Sequence, residues 1–136
     1  FFFFKQKTAY EIRNCDWSSD VCSSDLTSAD WARLTQRDKS VWVTGVIDYR
    51  LTVLASAEHK PLIDAEERCL YTSKITNDQL ALYVDRKYFE PRFAKLQPVM
   101  VLVGVVDEIC AEDIRKALPN YAGPKSYWRS LGVIEE

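Results

Sequence analysis

The stretch PVMVLVGVVDEIC, Pro98 to Cys110, decides the fold. Its β-branched run would suit a buried strand as well as a buried helix, and periodicity alone does not separate the two. Two features favour the helix. Pro98 is well placed as a first helical residue, where its missing N–H costs nothing. No second run of this kind elsewhere in the chain offers a partner strand. The expectation is an all-α protein, a small bundle of about four to five helices with one long central helix.

Working outward, that long helix is expected from Gln36 to about Ala55. Thr35 and Asp38 form a Thr-x-x-Asp start of the capping-box kind. Trp42, Val46, Tyr49 and Val53 then make one apolar stripe, and Val43, Ile47, Leu51 and Leu54 a second. A helix apolar on two faces is usually packed on both sides. Gly45 within it costs about 1 kcal/mol relative to Ala, and close helix–helix approach is the expected reason for it. From Ser56 to Ser73 the pattern breaks, so that stretch reads as a loop with one turn of helix around Ala65 to Cys69. Thr76 and Gln79 open the next helix, carried by Leu80, Tyr83, Val84 and Tyr88 and stopped by Pro91. A short amphipathic helix, AEDIRKAL, follows Cys110, and the terminal SYWRSL echoes SADWARL near residue 30 in its Ser…Trp-x-x-Leu order.

The first 26 residues are set apart. Read as DNA, Asp16 to Leu26 (DWSSDVCSSDL) resembles one frame of a short-read sequencing adapter. Lys5 to Ile12 (KQKTAYEI) resembles its flow-cell primer, and the Phe1 to Phe4 run is what poly-T encodes. A secretory leader has its charges before its apolar stretch, the reverse of this order. A zinc site at Cys15 and Cys22 lacks both the spacing and a neighbouring His. Residues 1–26 are therefore read as non-native, and residues 27–136 as one helical domain. The natural start, with any leader, is expected to lie upstream of what is seen.

The whole chain carries 18 basic and 20 acidic residues, a net charge of −2. Both signs are interspersed, so there is no electrostatic footprint for nucleic acid. The longest apolar run is about half of the ~20 residues a spanning helix needs, so no membrane span is expected. His59 is the one histidine and stands in the least regular stretch, without a second catalytic group in view. Asp64, Glu66 and Glu67 lack the alternating ligands and turn glycine of a hard-cation loop, and they read as solvated surface. Asp48 and Asp107 lie in or beside apolar stretches and are candidates for buried acids with raised pKa, although a residue so placed more often lies at the edge of the stripe and pairs with a nearby Arg or Lys. No phosphate loop, nucleophile elbow or metal motif is present, so neither catalysis nor a cofactor is expected. Cys69 and Cys110 permit one disulfide, although two thiols in a cytosolic core would look the same.

DWARLTQRDKSVWVTGVIDYRLT and KITNDQLALYVDRKYFEPRFAKLQPVMVLVGVVDEIC together resemble small exported bacterial helical proteins, and distantly the type VI amidase immunity proteins. The shared pattern is a glycine-containing first helix, a Thr-x-x-Gln helix and cysteines. It covers roughly Asp30 to Cys110. Those proteins have a cysteine where this chain has Trp42 and a Pro-Cys ending where it has Ile109 before Cys110. The resemblance implies a periplasmic, non-enzymatic protein that occludes or scaffolds a partner protein, with a single retained disulfide, Cys69–Cys110. An antiparallel helix pair joined by residues 89–97 would set both cysteines at one end of the domain. The competing expectation is a cytosolic helical adaptor or enzyme fragment with two core thiols. Oligomeric state is not legible.

Overall fold

The computed structural model describes residues 26–52 and 59–134, and every regular element among them is helical. In chain order they are α1 (Ser28–Arg33), α2 (Gln36–Thr52), α3 (Lys60–Ser73), α4 (Asn77–Tyr88), a 3-10 turn (Pro91–Phe93), α5 (Pro98–Ile109), α6 (Ala111–Ala117) and α7 (Pro124–Ser130). The expected adapter-derived segment lies outside the described residues except for Leu26, which is buried in the core at 1 % exposure. Leu26 packs within the core of the helical domain.

Local chemistry explains the helix starts. At α1, Thr27 accepts from the Asp30 N–H while Asp30 accepts from the Thr27 N–H. At α4, Thr76 and Gln79 make the same reciprocal pair. Thr35 Oγ1 accepts from the Asp38 N–H at 3.1 Å at the start of α2. Such caps satisfy N–H groups that the helix itself leaves unpaired. Pro61, Pro98 and Pro124 each sit in a first turn, where proline is tolerated.

Two expectations about helices are corrected. Among the described residues seven α-helices stand against the four or five expected: α3 falls in the stretch read as a loop, and α1 and α7, of six and seven residues, show too little periodicity to read. The central helix is α5, not the long α2. It buries Pro98, Val101, Leu102, Gly104, Val105 and Val106 and packs against α3, α4, α6 and α7. The 17-residue α2 packs on α3 and α4 and buries only Trp42, Val43 and Ile47. At about 100° per residue its two apolar stripes lie side by side and merge into one broad face. Tyr49, at its edge, is 54 % exposed.

The stretch read as a loop is helix α3 over Lys60–Ser73. Its buried positions are Ile63, Ala65, Glu66 and Cys69. The polar composition of the stretch and Pro61, which sits in its first turn, give it the look of a loop.

Candidate functional site

Helices α2, α3 and α5 bring a charged cluster into the interior. On α2, Arg50 falls angularly between the two apolar stripes, at the middle of the buried face. Its Nε and one terminal nitrogen donate to Glu66 Oε1 and Oε2 at 2.7 and 2.9 Å. Glu66 is 1 % exposed and the only buried charged residue in the described core. The bidentate fork satisfies both carboxylate oxygens, which is the geometry a buried pair needs to offset its desolvation. The hydrogen bond to Glu66 holds the Arg50 pKa above its ordinary value.

Asp107, half-buried on α5, lies close enough to feel both members of that pair. Burial pushes its carboxyl pKa up, and Glu66 adds to the shift while Arg50 opposes it. The buried Tyr121 hydroxyl beside it also opposes the shift, yet reaches no partner with good hydrogen-bond geometry. Tyr127 donates to the Met100 carbonyl at 2.9 Å. Burial first, then Asp107, pushes the Tyr127 pKa up to about 12.

The disulfide sits one turn along the same two helices. Cys69 follows Glu66 by three residues on α3, and Cys110 follows Asp107 by three at the end of α5, so each cysteine shares a helix face with one carboxylate. Cys69 and Cys110 are bonded with Cα atoms 5.7 Å apart, within the range of an ordinary bridge. The bond ties α3 to the α5–α6 junction.

Glu66 is held by both oxygens and is closed to solvent. Among the described residues, no group of three or more His, Cys, Asp and Glu could hold a metal ion. No described helix is long and apolar enough to cross a membrane.

The other sequence candidates are dispersed. Asp48, expected as a buried acid, is exposed on α2, because it lies one residue past Ile47 and so about 100° away from the buried face. Gly45 is half-buried on the same helix. His59 is exposed at the N-cap of α3. Asp64 pairs with Lys60 at 3.2 Å and Glu67 is exposed. The carboxylate run is therefore not uniformly solvated surface, since its middle member is the buried partner of Arg50.

Three features escaped the sequence reading. A close approach falls at Gly104, where a Cβ would come within 2.1 Å of the Trp128 ring. Trp31 Nε1 donates to Asp85 at 2.7 Å, and Lys39, over the Trp31 ring, pairs with the same oxygen at 3.0 Å. Trp128 Nε1 donates to Glu108 at 2.7 Å, and Lys87, over the Trp128 ring, pairs with the same oxygen at 2.8 Å. The Gly in an otherwise bulky apolar run and the repeated Ser…Trp-x-x-Leu order were the available signals.

The surface offers two shallow grooves flanking α4. One, of about 430 Å³, runs between α2 and α4 beside Arg37, Val41, Asp78 and Leu82. The other, of about 400 Å³, runs between α4 and α5 beside Tyr83, Arg86, Val105 and Glu108. No protein family, no curated protein and no solved structure matches the chain.

Proposed function

We propose that this is a non-enzymatic, exported helical protein that acts by binding a partner protein in the periplasm, in the manner of the type VI amidase immunity proteins. The observation that carries the reading is the Cys69–Cys110 bridge, since bonds of this kind persist in oxidising compartments and are rare in the cytosol. The exposed aromatic surface of α3 supports binding as the mode of action: Tyr71 is 86 % exposed. The interior charges are used within the fold, which leaves the surface to carry the activity.

Two measurements test it. Peptide mapping without reductant, on chain secreted to a bacterial periplasm behind a supplied leader, should recover Cys69 and Cys110 in one linked peptide pair. Recovery of both as free thiols would remove the basis for export. A panel of peptidoglycan amidases, titrated with the purified chain, should then contain one that is bound and inhibited. Bridge formation without inhibition anywhere in the panel would sink the immunity role alone.

A further inference from the structure

The geometry points to a second copy of this chain as the occupant of the outward face of α4, packed antiparallel about a two-fold axis at Leu82. Asp78, Leu82 and Arg86 are exposed along one stripe of α4, spaced four residues apart and so about 6 Å apart along the axis. Rotating α4 by 180° about Leu82 sets Asp78 of each copy opposite Arg86 of the other and Leu82 against Leu82. Acidic, apolar and basic positions therefore map onto their complements, which is what a self-complementary isologous contact requires.

The neighbouring helix strengthens the match. Thr44 meets Asn77 and Lys39 meets Asp85, so α2 runs antiparallel to α4. Arg37, two residues before Lys39, accordingly stands towards the Arg86 end, across the same groove as Leu82. An Asp78 carboxylate from the other copy would enter between two cations, Arg37 and Arg86. Neither arginine, nor Asp78, forms an ion pair among the described residues, and Arg86 is held over the Tyr83 ring at 5.4 Å. The grooves on both sides of α4 receive the side-chain rows of the opposing helix, as ridges enter grooves in ordinary helix packing. A seam of one helix per copy belongs to the smaller interfaces, and the dimer is accordingly weak and concentration-dependent.

Sedimentation equilibrium on the full chain at low salt, at concentrations up to about 1 mM, reads the association directly. A monomer–dimer equilibrium is expected. Asp78→Arg and Arg86→Asp should each weaken dimerisation about tenfold or more, by placing like charges opposite each other. The double variant Asp78→Arg/Arg86→Asp should restore it, because the swap regenerates the complement. All these positions are exposed, and circular dichroism of each variant verifies that the fold is intact. A chain monomeric throughout the range, a dimer indifferent to the single swaps, or a double swap that fails to recover association would each overturn the assignment.

Discussion

Gly104→Ala tests the packing of α5 at its tightest point. The ideal Cβ would stand 2.1, 2.3 and 2.7 Å from Cη2, Cζ2 and Cζ3 of Trp128, closer than carbon atoms pack. The ring is poorly placed to retreat. Its Nε1 is bonded to Glu108 at 2.7 Å, and its edge meets Phe93 with centroids 5.0 Å apart. Helix propensity favours Ala over Gly by about 1 kcal/mol. Against this, overpacking costs about 1–3 kcal/mol, and moving the indole breaks a hydrogen bond to a charged acceptor worth about 1.5–3 kcal/mol. The net expectation is a destabilisation of about 2–4 kcal/mol, read as a lower urea midpoint at unchanged slope. In a Trp128→Leu background the clash disappears, so the same Ala should become neutral or stabilising by up to about 1 kcal/mol. A Gly104→Ala protein as stable as the parent would refute the close approach.

Removing one member of the buried pair, by Arg50→Met or Glu66→Leu, should cost about 3–5 kcal/mol, while the double replacement should recover much of it, because only the single variants leave a buried charge unpaired. Denaturant unfolding of the three variants checks this. Cys110→Ser should remove about 4 kcal/mol under oxidising conditions, from closure of a loop with a sequence separation of 41, and change little with excess reductant. Asp107→Asn should alter the pH profile in a defined direction. A folded pKa raised by burial means that the folded state holds the proton more tightly than the unfolded state, so this group's contribution is most favourable at low pH and is lost as pH rises through the folded value. The variant should therefore gain stability over the parent at neutral pH and lose that advantage near pH 4, and parallel pH profiles would count against it.

The all-helical class was legible because proline and capping signals agree with the helical period at α4 and α5. The buried Arg50–Glu66 pair stayed hidden. Hydrophobic patterning assumes that buried positions are apolar, and α3 buries Glu66 while α2 buries the stem of Arg50. The two residues are unreadable separately, since neither has a reason to be inside without the other. Asp48 illustrates the converse: its place within an apolar helix allowed a buried acid, but one residue along a helix from the buried Ile47 is a large rotation, and it is exposed. The Cys69–Cys110 pairing was implied by resemblance, and its position relative to Glu66 and Asp107 became visible only once α3 was a helix.

The echo between SADWARL and SYWRSL has a structural meaning that its brevity concealed. Helices α1 and α7, of six and seven residues, are too short to persist without tertiary contacts. Each buries a single residue, its tryptophan. An indole so buried needs an acceptor for its N–H, and a carboxylate supplies one in each case. That carboxylate, taken partly out of water, needs a cation, and in each case a lysine provides it while lying over the indole face at 5.3 Å. Each group thus relieves the desolvation of the one before it. Helix α4 contributes Asp85 to the first arrangement and Lys87 to the second. Two residues apart on a helix point to nearly opposite sides, so α4 anchors the first and last described helices on its two flanks. The unpartnered stripe of Asp78, Leu82 and Arg86 is the face that this double anchoring leaves free.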